Sequence, residues 1–205
     1  MKKFELTNEF VTNMFGTKLF RIRALVEFGD VEAGELGGYV EKESNLGHDD
    51  NAWVYDNAWV YGNARVYGDA LVYDNARVYG NAWVYGDAQV SGDALVYGNA
   101  RVYGNALVCG DARVCGDARV CGNGDYAYAH GFGSVNRTTT FFRLKDGGVG
   151  VRCGCFYGTL AQFRDKIRET HGETKKAQEY LMLADLMELR FEEDENEVGN
   201  RKYVE

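Results

Sequence analysis

The chain has 205 residues, room for one ordinary domain or two small ones. Hydrophobic residues at 45% and charged residues at 26% exclude disorder over the whole length, and a net charge of −8 argues against general nucleic-acid or anionic-membrane binding. With 26 glycines and no proline, the turns must be built from Gly, Asn and Asp.

Residues 1–50 are expected to form an N-terminal β cap. The opening residues lack the apolar run of a signal peptide, and no stretch approaches the roughly 18 apolar residues of a membrane span. A cytosolic location is therefore expected, with the five cysteines present as thiols. Between Lys18 and Leu25 polar and apolar residues alternate, as in a half-buried strand that could lie over the start of the repeats.

From Asn51 to Gly122 the chain is twelve uninterrupted hexapeptides. Each reads Asn or Asp, Ala, a variable residue, Val, then Tyr, Cys or Ser, and finally Gly or Asp. Two apolar residues spaced two apart are strand alternation, so Ala and Val face inward while the third and fifth residues face out. The Gly-Asn and Gly-Asp junctions tolerate left-handed backbone and make sharp corners. A short strand and a corner every six residues describe a coil. If three hexads close one triangular turn, residues 51–122 make four coils stacked about 4.8 Å apart.

Residues 123–191 are expected to form a C-terminal α+β domain. Thr138 to Leu144 and Val149 to Cys155 read as a β-hairpin around Asp146-Gly147. Thr159 with Gln162 fits a capping box opening a helix through Phe163 and Ile167, which Gly172 stops. A second helix over 173–191 carries Ala177, Tyr180, Leu181, Ala184, Met187 and Phe191 on one stripe, widened by Leu183, Leu186 and Leu189. So wide an apolar face suggests burial in an interface. The acidic tail 192–205 is expected to be solvated and mobile.

The hexads resemble the hexapeptide-repeat family, the left-handed parallel β-helix typified by bacterial acyltransferases. The run from Gly29 to Val40 resembles the leader of a narrower group of uncharacterised bacterial and phage hexapeptide proteins, some labelled transferases. Three hexads per coil, the left hand and trimeric assembly are what the resemblance implies. The fold class expected is mainly β, a single-stranded parallel β-helix with an N-terminal β cap and the C-terminal hairpin-plus-two-helix domain.

Stacking every third hexad sorts the outward residues into three faces. One presents Trp53, Leu71, Gln89 and Leu107 beside Tyr55, Tyr73, Ser91 and Cys109. It is the most apolar, and Trp53, Leu71, Leu107, Tyr55 and Tyr73 are the expected contact between subunits. A second is mixed, with Trp59, Arg77, Leu95 and Arg113. The third stacks Arg65, Trp83, Arg101 and Arg119 beside Tyr67, Tyr85 and Tyr103. Arg forks match phosphate oxygens, and Trp and Tyr faces stack on a base, so this ladder suits an anion carrying a flat ring. It equally suits plain cross-strand stabilisation of the stack.

Catalytic signals are sparse. Acyltransferases of the family use a base, usually His, and of the three histidines only His130, in a Gly-rich connection beside a subunit cleft, is a candidate. Cys109, Cys115 and Cys121 face three directions, so no metal site is expected, and no cofactor. Stacked Asp69 with Asp87, and Asp93 with Asp111, read as turn formers. The expectation is a non-enzymatic homo-oligomer, with a trimer favoured. In its sharpest form it is a phage accessory protein that sequesters a small phosphorylated, nucleotide-like ligand between subunits. Two other readings stand beside it, an acyl-CoA-dependent acyltransferase and a scaffold that blocks a host enzyme.

Overall fold

The computed structural model describes residues 2–133 and 137–192. Three strands open the chain: β1 (Phe4–Thr12), β2 (Lys18–Ala24) and β3 (Leu36–Val40). Then come twelve two-residue strands at the third and fourth positions of the hexads, from β4 (Trp53–Val54) to β15 (Arg119–Val120). They pair in parallel with the strand eighteen residues on, as Arg65 does with Trp83. Three sheets result, with orders β1-β2-β3-β5-β8-β11-β14, β4-β7-β10-β13 and β6-β9-β12-β15.

The parallel β-solenoid has about five turns rather than the expected four, because β3 pairs in parallel with β5 and Leu46 bridges Val66 ahead of the first hexads. The leader can lie so close because it carries no side chains there. A Cβ on Gly38 would stand 2.7 Å from the Ala58 carbonyl oxygen.

The repeat folds this way because each position has one role. Every Ala and Val of the hexads, from Ala52 to Val120, is fully buried and forms a dry axial core. The corners are left-handed, with Gly68 at φ 70° as an example, and Asp56 and Asp74 take the same conformation where Gly is replaced. Backbone N–H groups donate along the axis to the next turn, as Trp83 N does to Ala100 O at 2.9 Å.

That common direction leaves carbonyls bare at the first turn and N–H groups bare at the last. At the first, the Lys3 ammonium donates to the Asp50 and Ala52 carbonyls, and the Asn45 amide to those of Gly62 and Ala64. At the last, Leu107 N donates to the Asn123 side chain, Arg113 N to the Thr140 hydroxyl and Cys121 N to the Asp125 carboxylate. Both ends are thus closed by side chains of the matching polarity.

The C-terminal region is larger than a hairpin and two helices. The predicted hairpin is the centre of a four-stranded antiparallel sheet, β16 (Tyr126–Phe132), β17 (Arg137–Arg143), β18 (Val149–Cys153) and β19 (Phe156–Thr159). Two helices complete it, α1 (Leu160–His171) and α2 (Lys175–Phe191). The Thr159–Gln162 capping box is present, and Gly172 ends α1 at φ 56°. Ala177, Tyr180, Ala184, Met187 and Phe191 of α2 pack with Phe141, Phe163 and Ile167 in a second core. Of the acidic tail only Glu192 lies within the described residues. No helix among the described residues is long and apolar enough to cross a membrane.

Candidate functional site

The third face is built from β6 (Arg65–Val66), β9 (Trp83–Val84), β12 (Arg101–Val102) and β15, whose register stacks Arg65, Trp83, Arg101 and Arg119 in one column. The Arg101 guanidinium lies 4.9 Å from the Trp83 ring centroid and that of Arg65 lies 5.9 Å away. Rungs along the axis put these two cations on opposite sides of the indole. Beside this column Tyr67, Tyr85 and Tyr103 stack at 5.0 and 5.1 Å with nearly parallel planes. The ring faces therefore stack on one another and on guanidinium groups, and the face offers solvent chiefly N–H groups, phenol oxygens and ring edges.

Along the adjoining corner runs a side-chain amide ladder. Asn63 donates to Asn81, Asn81 to Asn99, and Asn99 to the Asp117 carboxylate, each at 3.2 Å. Column and ladder border an open cleft of about 390 Å³ in which Trp83, Arg101 and Arg119 meet Asn99, Asp117 and Lys145. Lys145, in the turn between β17 and β18, is held over the last coil by its N–H on the Asp117 carbonyl. Sequence reasoning missed it because a turn lysine gives no sign of which face its domain will cover.

The charges here are unevenly matched. Arg119 donates to the Asn99 and Ala118 carbonyls, which fixes it. Burial lowers its pKa and the Arg101 cation lowers it further, against the opposing pull of Asp117. Among the described residues no ion pair joins Arg65, Arg101 or Arg119 to a carboxylate at contact distance. Two neighbouring guanidiniums and a lysine against one aspartate leave the cleft cationic, in a protein that is acidic overall.

The apolar face differs from its expected form. Its register is as read, Trp53 with Leu71, Leu71 with Gln89 and Gln89 with Leu107. Trp53, however, is fully buried, with Phe28 and Phe4 edge-on to its ring at 5.3 and 6.2 Å, so it is not presented to another subunit. The N-terminal cap covers it. Tyr55, Leu71 and Tyr73 are half-buried, the Tyr73 hydroxyl donates to Gln89, and Leu107 is exposed.

His130 lies on β16 at the junction of the coils with the C-terminal sheet. Its Nδ1 is 2.9 Å from the Thr138 hydroxyl and 3.7 Å from an Asp111 carboxylate oxygen. A cleft of about 490 Å³ there also carries Asp93, Arg113 and Arg137. The cysteines form no disulfide. Cys115 is buried under the C-terminal sheet, which pushes its thiol pKa up, while Cys109 and Cys121 are exposed. Among the described residues no three His, Cys, Asp or Glu side chains converge on one point.

Five segments of the coils, 58–73, 70–86, 88–104, 96–110 and 100–116, match the family model of the YdcK beta-solenoid repeat. The coils are therefore similar to that repeat, and the match includes Arg65, Trp83 and Arg101 but stops short of Arg119 and both end domains. No curated protein matches the chain.

Proposed function

We propose that this chain is a binding protein that captures a small phosphorylated ligand in the cleft of Arg101, Arg119 and Lys145. The supporting observation is the pair of adjacent guanidiniums without a carboxylate at contact distance, one of them with its pKa lowered by burial and by its neighbour. A phosphate between them relieves that repulsion and gains charge-assisted hydrogen bonds from both forks. In a nucleotide-like ligand the base takes the place of the Arg65 guanidinium over Trp83, the more distant of the two cations. Binding in this form needs no bond to break, and sequestration by a phage accessory protein is its biological counterpart.

The test is native mass spectrometry of the purified chain before and after incubation with a bacterial small-molecule extract. The expected result is a discrete added mass in the nucleotide range that disappears in Arg101→Ala with Arg119→Ala. An added mass that survives both substitutions, or none at all, removes the reading. A second reading, acyl transfer from an acyl-CoA with His130 as base, is favoured by the junction cleft, where Asp111 and Thr138 flank the imidazole. It predicts turnover of acetyl-CoA that vanishes in His130→Ala.

A further inference from the structure

We propose that the outer stripe of α2 is a self-association surface that pairs antiparallel with α2 of a second copy of this chain. One face of this helix is already used in the second core. The opposite face presents Met182, Leu186 and Leu189, which are 70%, 54% and 67% exposed. Their spacing of four and three places all three within a narrow strip at 100° per residue, so they form one continuous ridge. Scattered apolar side chains on a surface need no explanation, but a three-residue ridge over two turns of a well-capped helix does. Thr174 caps α2 by accepting from Ala177 N, and Arg164 of α1 pairs with Asp185 and Glu188. The ridge is thus held rigidly outward.

The flanking charges say what covers it. Glu179 and Arg190 are eleven residues apart, three helical turns, and lie on the same side of the ridge. Among the described residues each makes a single long contact, Glu179 accepting from Gly133 N and Arg190 donating to the Asn123 carbonyl, both at 3.3 Å. A carboxylate has a second oxygen and a guanidinium further N–H groups, so both keep capacity for a partner. In an antiparallel pair the same flank of each helix meets, running in opposite directions. Glu179 of one copy then faces Arg190 of the other, twice over, while Met182 packs on Leu186 of the second copy. This orientation also opposes the two helix dipoles. A parallel pair would instead bring the Lys175 and Lys176 ends together. It would also need Asp185 for Arg190, and Asp185 is already bound to Arg164 at 2.8 Å. The surface is complementary to itself in one orientation.

The experiment is sedimentation equilibrium of the full chain over a wide concentration range. A dimer is expected, with Leu186→Glu raising its dissociation constant by about a hundredfold or more. Glu179→Arg should weaken it by about tenfold, and adding Arg190→Glu should restore it to near the starting value. Leu186 and Arg190 are exposed and Glu179 is half-buried, so thermal unfolding at low concentration should change little in each variant. The charge exchange reports even if Leu186→Glu does not fold. A chain that stays monomeric at every concentration overturns the proposal. So does an oligomer indifferent to Leu186→Glu, or a charge exchange that fails to restore association. If the full chain is monomeric and a chain ending at residue 192 is dimeric, the acidic tail is the occupant and the proposal is wrong. None of these outcomes depends on the phosphate cleft.

Discussion

The Lys3 ammonium lies 2.8 Å from the carbonyl oxygen of Ala52, at the end of the solenoid where no earlier rung supplies an N–H. A second bond, 2.6 Å to the Asp50 carbonyl, completes the plug. Burial lowers the Lys3 pKa from the usual 10.5 to about 8, the nearby Asp50, Asp49 and Asp69 opposing the shift.

Stability should therefore depend on this residue and on pH. Between about 8 and 10.5 the unfolded chain holds a proton on Lys3 that the folded chain has released, so folding is favoured as pH rises through that window. Below it Lys3 is charged in both states and adds no slope. Lys3→Met should cost about 2 kcal/mol at neutral pH by leaving carbonyls unpaired. Denaturant midpoints of both proteins from pH 7 to 10.5 would check it, with a gap that widens as pH rises.

The tyrosine stack predicts the opposite slope at higher pH. Burial first, then the nearby Cys121 thiol, pushes the Tyr103 phenol up to about 12. From about 10 to 12 the unfolded chain ionises this phenol while the folded chain keeps it neutral, so stability falls across that range. Absorbance titration at 295 nm should show several late-ionising phenols, one fewer in Tyr103→Phe.

Fluorescence quenching separates the three tryptophans. Trp53 is fully buried, whereas Trp59 and Trp83 are half-buried beside cationic Arg77, Arg65 and Arg101. Iodide, an anion, is drawn to the latter two and should leave about a third of the emission unquenched. In Trp53→Phe that protected fraction should disappear. Complete quenching of the unsubstituted chain would mean that the cap does not cover Trp53.

Three substitutions test the solenoid itself. Val84→Ala removes two methylene equivalents from the axial core and should cost about 2 kcal/mol. Gly68→Ala should cost at least as much, about 2 kcal/mol or more, since φ is 70° and the new Cβ would sit 2.9 Å from Gly86 N. Asn99→Asp should cost about 1 kcal/mol, because it removes the donor to Asp117 and sets two carboxylates side by side. Chemical denaturation of each variant gives the ranking, and a neutral Gly68→Ala would sink the corner geometry.

The hexads by themselves determined the coil, the inward Ala and Val, and the register that stacks Arg65, Trp83, Arg101 and Arg119. Each of these results from a strict period acting on neighbours one turn apart, and the Thr159–Gln162 cap is local in the same way. What the sequence left open are contacts made across long separations. Lys3 reaches Ala52, Phe28 covers Trp53, Thr140 accepts from Arg113 N, and Lys145 closes on Arg119. Of these, Lys145 makes its contact through its backbone N–H on the Asp117 carbonyl and only shares a cleft with Arg119. Such pairings depend on how the end domains sit on a finished solenoid. The Trp53 face read as apolar and outward because a repeat defines its own faces, and only tertiary structure decided that the first rung is covered by the chain's own N-terminal strands. The stacked ring faces of Tyr67, Tyr85 and Tyr103 were likewise decided by the rung spacing, which fits one phenol on the next more closely than it admits a ligand between them.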